Sequence, residues 1–488
     1  MLWSLVILPA LCGLGCVLIP QAGWRRALLV LAGLAHLALT VGCAGVAAAD
    51  AGVPPPGRWL ALDSLALLFL GVTDVLFILA GFYTFAYLDE KHDKPGAHGF
   101  LSQEALFPSL LLLFLSAMSL GILSQHCVVT WVAVEATTLV TASLICYHRS
   151  ARSLEAAWKY MLICSVGIAI ALAGNMALAT SVSFSHPWMA LTYDNIAAAA
   201  RAGELQPLWL KIGFILLLVG YGTKIGLFPM HTWLPDAHSE APAPVSALLS
   251  GTLLNCALLA LLRVFAVMNQ AGMGADAGKM LEVFGALSVA VAVVFIARQR
   301  DFKRLLAYSS IEHMGLITLG MSYSAFSREA ASYHVLNHSL AKGLLFLTAG
   351  NILTVYGTKT IARVRGMLSR RPGLAVLWLL GLLAICGFPP FGLFVSELWL
   401  VLALAEGGRW VLAAGVLLLL GGVFIGMSRS FLRMAGGEPA PLAEPAPLSL
   451  LRTAPGWILL GASIWLGLCP PAWLLRLVKD ASRIVNGG

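Results

Sequence analysis

Charge is the scarcest property of this sequence. Its 31 Lys and Arg and 23 Asp and Glu make up 11% of 488 residues, against roughly 25% in an average soluble domain. So little charge cannot cover a water-exposed surface of that size, and no soluble domain of useful size is left between the apolar runs. Paired cysteines are also missing. Cys12, Cys16, Cys43, Cys127, Cys146, Cys164, Cys256, Cys386 and Cys469 stand singly, with no Cys-x-x-Cys. That argues against an iron–sulfur, zinc or haem site made by this chain; the cysteines read as small core residues. No Walker motif occurs and the glycines are dispersed, so no nucleotide site is visible. The first apolar run lacks a basic leader and an Ala-x-Ala cleavage site, and reads as a retained helix.

What the chain has is apolar length: 59% hydrophobic residues and a mean hydropathy of +0.87. About 20 such residues span a bilayer as a helix, which predicts an all-α polytopic membrane protein. Fourteen spans are expected, at 1–20, 27–49, 62–87, 107–123, 126–146, 155–184, 207–228, 243–268, 278–298, 304–323, 332–355, 374–404, 409–432 and 455–477. A net charge of +8 would suggest nucleic acid in a soluble chain, but here its placement matters more. Of the Lys and Arg, 18 follow odd-numbered spans, Lys91 and Lys94 among them, and 10 lie on the even side. The positive-inside rule then puts odd loops in the cytoplasm and both termini outside. Topology accounts for the clusters Arg298–Arg304 and Arg363–Arg371, which could also meet anionic lipid or an acidic partner.

Three lysines fall inside apolar stretches: Lys159, Lys224 and Lys342. A charge at mid-bilayer costs roughly 2.5–3.5 kcal/mol on insertion scales, so such residues usually pair with acids or line a hydrated path. Glu135 and Glu397 are candidate acids. The combination points to a protein that moves charge, most simply protons. Helical spacing gathers further polar groups: Glu155 with Lys159, His334 with His338 and Lys342, and Tyr308 with Glu312 beside His313. The competing reading is that these hold neighbouring helices by interhelical hydrogen bonds. For Glu135, Lys224, Lys342 and Glu397 the cost of ionisation favours function.

The seventh span is interrupted at Gly222, Gly226 and Pro229, and the twelfth at Gly387, Pro389, Pro390 and Gly392. Broken helices in corresponding positions mark repeat-built transporters. Each break has an ionisable neighbour, Lys224 or Glu397, and Lys159 then corresponds to Lys342. The expected organisation is helices one to three in 1–106, a first repeat in 107–268, a second in 278–432, and helix 14 with a short tail in 433–488. His231, Asp236 and His238 after the first break have metal-ligand chemistry, but read better as shaping the loop, so no metal is expected.

The run Gly-Tyr-Gly-Thr-Lys-Ile-Gly-Leu-Phe-Pro-Met-His-Thr-Trp-Leu-Pro-Asp-Ala-His-Ser-Glu-Ala-Pro-Ala-Pro around Lys224 resembles the signature of antiporter-like subunits of respiratory complex I, multisubunit cation/proton antiporters and membrane-bound hydrogenases. So do Arg-Leu-Leu-Ala-Tyr-Ser-Ser-Ile-Glu-His-Met-Gly (304–315), Asn-His-Ser-Leu-Ala-Lys-Gly around Lys342 and Gly-Phe-Pro-Pro-Phe-Gly-Leu-Phe-Val-Ser-Glu ending at Glu397. The resemblance covers roughly 107–432. It implies fourteen helices with two inverted five-helix repeats, and a proton path from Glu135 and Lys224 through His338 and Lys342 to Glu397, with Glu312, His313 and Lys159 alongside. Relatives usually carry a lysine in the eighth helix, where this chain has Asn255, which implies a relay bridged by water or His313.

The Ile-Glu-His-Met-Gly form resembles the hydrogenase-4 component F type. The resemblance implies no cofactor of the chain's own. It implies further antiporter-like membrane subunits, lipid and a peripheral redox arm with iron–sulfur and, in a hydrogenase, nickel–iron subunits as partners, in a bacterial or archaeal cell membrane. The expected function is a proton-translocating subunit of a [NiFe]-hydrogenase or formate hydrogenlyase-like assembly. The alternatives are a complex I-like quinone oxidoreductase subunit, a sodium/proton antiporter or a non-pumping scaffold.

Overall fold

The computed structural model describes residues 1–49, 58–89, 103–438 and 448–487. Lys91 and Lys94 lie outside the described residues. The rest folds into twenty α-helices: α1 (Leu2–Leu18), α2 (Ala22–Ala49), α3 (Ser64–Asp89), α4 (Gln103–Leu123), α5 (Cys127–Ile145), α6 (Ala151–Ser183), α7 (Tyr193–Arg201), α8 (Pro207–Ile225), α9 (Trp233–Glu240), α10 (Ala243–Leu248), α11 (Leu254–Gln270), α12 (Gly274–Ile296), α13 (Phe302–Met321), α14 (Ala325–Tyr356), α15 (Met367–Arg370), α16 (Pro372–Ile385), α17 (Gly392–Glu406), α18 (Trp410–Ala435), α19 (Leu450–Leu468) and α20 (Ala472–Asn486). All fourteen apolar runs are occupied by helix. Among the described residues, ten helical stretches are long and apolar enough to cross a membrane, or eleven if the bent pair α19 and α20 is one span.

Small residues decide how closely these helices approach, because a bilayer offers little hydrophobic drive for one apolar helix to bury another. Gly167 and Gly174 on α6 face Gly213 and Gly220 on α8. A methyl at Gly220 would lie 2.6 Å from the Ala171 backbone nitrogen, and one at Gly174 would lie 2.9 Å from that of Leu217. The same device joins α12 to α13, where a methyl at Gly285 would stand 2.7 Å from the Gly315 carbonyl. The stretch of α10 and α11 is buried from Ala243 through Met268, and most of α14 is buried too. These central helices cannot be solvated from outside, so every polar group on them needs an internal partner.

Both interruptions are present. Gly226 ends α8 at φ +85°, and Gly387 follows α16 at φ +61°, a backbone region glycine enters without the Cβ penalty. The fourteenth run departs from expectation. The span read over 455–477 is two helices bent by 81°, because Pro470 and Pro471 cannot continue the hydrogen-bond ladder of α19. The short tail is the amphipathic helix α20, buried at Leu474, Val478, Ala481, Ser482 and Val485 and polar at Arg476, Lys479 and Asp480. It packs on α3, α11 and α14. Asn269 at the end of α11 donates to the Val485 carbonyl at 2.7 Å, and Arg328 of α14 bonds Asn486.

One buried ion pair fastens α11 elsewhere. Arg263 contacts Asp63, ahead of α3, at 2.8 and 3.3 Å, while Asp63 also accepts from the Ala66 backbone N–H at 2.7 Å.

Candidate proton-conducting row

The α6–α8 glycine contact brings Tyr160 against the last turn of α8. Lys224 is fully buried there, and its Nζ donates to Thr138 Oγ1 of α5 at 2.7 Å and to the Tyr160 hydroxyl at 2.6 Å. Tyr160 in turn lies 2.6 Å from Thr141 Oγ1. The expected Glu135–Lys224 ion pair is not formed. Glu135 accepts from Ser165 at 2.8 Å, and its second carboxylate oxygen is buried without a partner. Ammonium and carboxylate are therefore each held by hydroxyls, groups that both donate and accept hydrogen bonds. Tyr160, Thr138 and Thr141 were not singled out in the sequence, although Thr138 lies three residues from Glu135 and so on the same helical face.

Lys159 is placed differently from its expected counterpart Lys342. Its side chain is 48% exposed and paired with Glu155 at 2.6 Å and Asp236 at 3.3 Å. Asp236 also pairs with Arg304. The apolar letters around Lys159 belong to a helix with one outward face, and hydropathy alone could not tell that face from the inner one. Lys159 stands apart from the buried row.

Asn255 lies in the first turn of α11, just after a π-helical turn over Leu249–Leu253, an irregularity that often marks functional sites. Its Nδ2 donates to Ser339 Oγ of α14 and to the Gly251 carbonyl, both at 2.8 Å, and its Oδ1 is buried without a partner. Ser339 stands one turn before Lys342, whose Nζ donates to the Leu306 carbonyl at 3.0 Å and to Ser309 of α13.

Beyond Lys342 the row becomes a cluster of histidines and acids. His313 Nε2 stands 3.1 Å from the Ile385 carbonyl, which only accepts, so this nitrogen carries the proton. In neutral His313 Nδ1 is then an acceptor for His334 Nε2–H at 2.9 Å. His334 Nδ1 faces the Ser396 hydroxyl at 2.9 Å, and Ser396 precedes Glu397. The His338 ring lies 5.2 Å from that of His313. Glu312 Oε2 comes within 3.3 Å of His313 Nε2 without hydrogen-bonding geometry. Both Glu312 oxygens, both His338 nitrogens and Glu397 Oε1 are buried without partners. Such groups ordinarily bind ordered water, and here they follow one another along α13, α14 and α17.

Asn255→Leu tests the join. Removing the amide strips Ser339 of a partner and the row of a water ligand, and coupled proton transport is expected to fall about tenfold, at a stability cost of about 1–2 kcal/mol. Proton uptake into vesicles at fixed redox turnover reads the first effect and thermal unfolding in detergent the second. Unchanged uptake would show that the gap is not on the route.

A family model described as NADH:quinone oxidoreductase/Mrp antiporter, TM matches residues 124–424. A hydrogenase-4 component F homolog from Methylacidiphilum infernorum is 36% identical over 400 residues, covering 80% of this chain and 82% of that protein. Hydrogenase-4 component B of Escherichia coli is 28% identical over 69% of this chain and 50% of its own length. Among solved structures, a chain of an archaeal membrane-bound sulfane sulfur reductase superposes with a TM-score of 0.86 at 24% identity, covering 99% of this chain and 97% of that one. A chain of the Mrp complex from Dietzia sp. DQ12-45-1b gives 0.82 at 20% identity, with 98% and 96% covered.

Proposed function

Since this chain belongs to the NADH:quinone oxidoreductase/Mrp antiporter transmembrane family, we propose that its buried row is the working part of a proton-translocating membrane subunit in a redox-driven complex. The observation that carries the reading is the row itself. Two fully buried lysines, Lys224 and Lys342, and two buried acids, Glu312 and Glu397, stand among hydroxyls and imidazoles, and both Glu312 oxygens, Glu397 Oε1 and both His338 nitrogens lack a partner within the described residues. A structural role alone would leave such groups mutually satisfied. In the proposed cycle, a change in hydration or in the Glu135–Lys224 distance makes Lys224 release its proton. The proton passes by Asn255 and Ser339 to Lys342, and then through His338, His313 and His334 to Glu397. The two halves, 107–268 and 278–432, act as the two relay segments. Driving energy comes from a redox partner, against about 2.3 kcal/mol per charge per 100 mV of membrane potential.

The likeness to hydrogenase-4 components favours a [NiFe]-hydrogenase or formate hydrogenlyase-like assembly, with a peripheral iron–sulfur and nickel–iron arm and further antiporter-like subunits. Inverted vesicles holding the native complex are expected to take up protons during hydrogen-linked turnover, and to lose uptake but keep peripheral redox activity when this subunit is deleted. Uptake that persists without the subunit would reduce it to a scaffold, and a strict sodium requirement would make it a cation/proton antiporter.

The proposed topology places both termini outside. An alkaline phosphatase fused after Gly488 is expected to be active. An inactive fusion, with a cytoplasmic fluorescent reporter bright at the same point, would reverse the orientation.

A further inference from the structure

We infer that His313, His334 and Glu397 form a binding site for a divalent transition cation of the Zn2+ type. One imidazole nitrogen from each histidine and one Glu397 oxygen lie within 4.8 Å of one another, and all three residues are buried. Two histidines and a carboxylate with an open fourth position are a common zinc set.

The surroundings of the two rings strengthen the case. Metal-bound histidines usually donate their other N–H to a carbonyl or hydroxyl, which fixes the tautomer. His313 already does so through Nε2 to the Ile385 carbonyl at 3.1 Å, leaving Nδ1 for a metal. His334 needs only to place its proton on Nδ1, 2.9 Å from Ser396 Oγ, and its Nε2 is then free to ligate. The two ligating nitrogens face each other at 2.9 Å. With Zn–N bonds of about 2.0–2.1 Å, a tetrahedral ion holds them about 3.3 Å apart, so the rings separate by a few tenths of an ångström.

Glu397 Oε1 is buried, unpartnered and anionic when ionised, and supplies the third bond. Gly387 sits against the Glu397 carboxylate, and the adjoining Phe388, Pro389 and Pro390 of the break are exposed. Imidazole favours Zn2+, Co2+ or Cd2+ over Mg2+ or Ca2+, which prefer all-oxygen shells.

A bound ion takes the lone pair through which the His313–His334 hydrogen bond passes, and neutralises Glu397. It therefore stops proton transfer at the end of the row. This consequence rests on the proposed proton-translocating function, whereas the binding itself does not.

The purified full-length chain, stripped with a chelator and titrated with ZnCl2 against a competing zinc dye, is expected to bind one ion tightly. Co2+ in its place should give the intense visible bands of a tetrahedral site. His334→Gln and Glu397→Gln should each weaken binding at least about tenfold, and Ser396→Ala about tenfold through ring positioning, while His231→Gln leaves it unchanged. Identical affinity in the His334 and Glu397 variants, with both eluting as the same monodisperse species as the parent, overturns the site. Tight binding in the parent with undiminished proton uptake keeps the site and overturns the assignment of this cluster to the proton route.

Discussion

Lys224→Met is expected to abolish coupled proton transport, lowering uptake by at least about tenfold, while leaving the fold as stable as before or more so. The second half of that expectation separates a functional charge from a structural one. Replacing a buried charge by an apolar side chain of similar volume is often neutral or stabilising by about 1–4 kcal/mol, since the desolvation cost disappears. The Tyr160 hydroxyl is not orphaned, because it retains Thr141 at 2.6 Å. Glu135→Gln keeps an acceptor for Ser165 and should lose transport as well. Both variants are measured as proton uptake into vesicles, with thermal unfolding of the same preparations alongside. Wild-type uptake in both would leave Lys224 as a buried group with no part in conduction.

Arg263→Leu should do the opposite, damaging the fold ahead of the function. Arg263 is 4% exposed and bound through two nitrogens to Asp63, with the Tyr193 ring 5.9 Å away. Removing one partner of such a pair costs about 3–5 kcal/mol, because the remaining charge is stranded. Asp63 keeps some access to water, so the lower end of that range is expected. The yield of folded protein and its Tm in detergent should both fall. Adding Asp63→Asn should restore more than half of the loss, since the stranded charge is then gone and the amide can still cap α3. A single variant as stable as the parent would show that the pair contributes nothing.

The positions of the helices, both breaks and the residues of the second-half cluster were legible because hydropathy, glycine–proline punctuation and four-residue spacing are local signals. The partners of those residues were not. Glu135 and Lys224 were read as an ion pair because they are the acid and base available to each other, yet hydroxyls on α5 and α6 reach each of them first. Thr138, Tyr160, Ser309 and Ser339 look like ordinary helix residues until neighbouring helices are set beside them. Lys159 illustrates the converse: an apolar context says nothing about which way a side chain faces. The bend at Pro470 and Pro471 is hidden from an apolar average because Leu, Trp and Val in 472–478 continue that of α19, while the spacing of Leu474, Val478, Ala481 and Val485 marks a helix with only one buried face.

That tail has a mechanical consequence. By holding the end of α11 through Asn269 and the start of α14 through Arg328, α20 acts as a strap between these two helices. Transporters that rock one half against the other need helices that slide past each other. Sliding α11 past α14 would have to break the α20 contacts at both Asn269 and Arg328, so a relay that leaves the helices in place is the expectation. The moving parts are then small ones, rotating rings, swinging ammonium groups and water entering or leaving the row, and a cross-link fixing α20 to both helices should leave transport running.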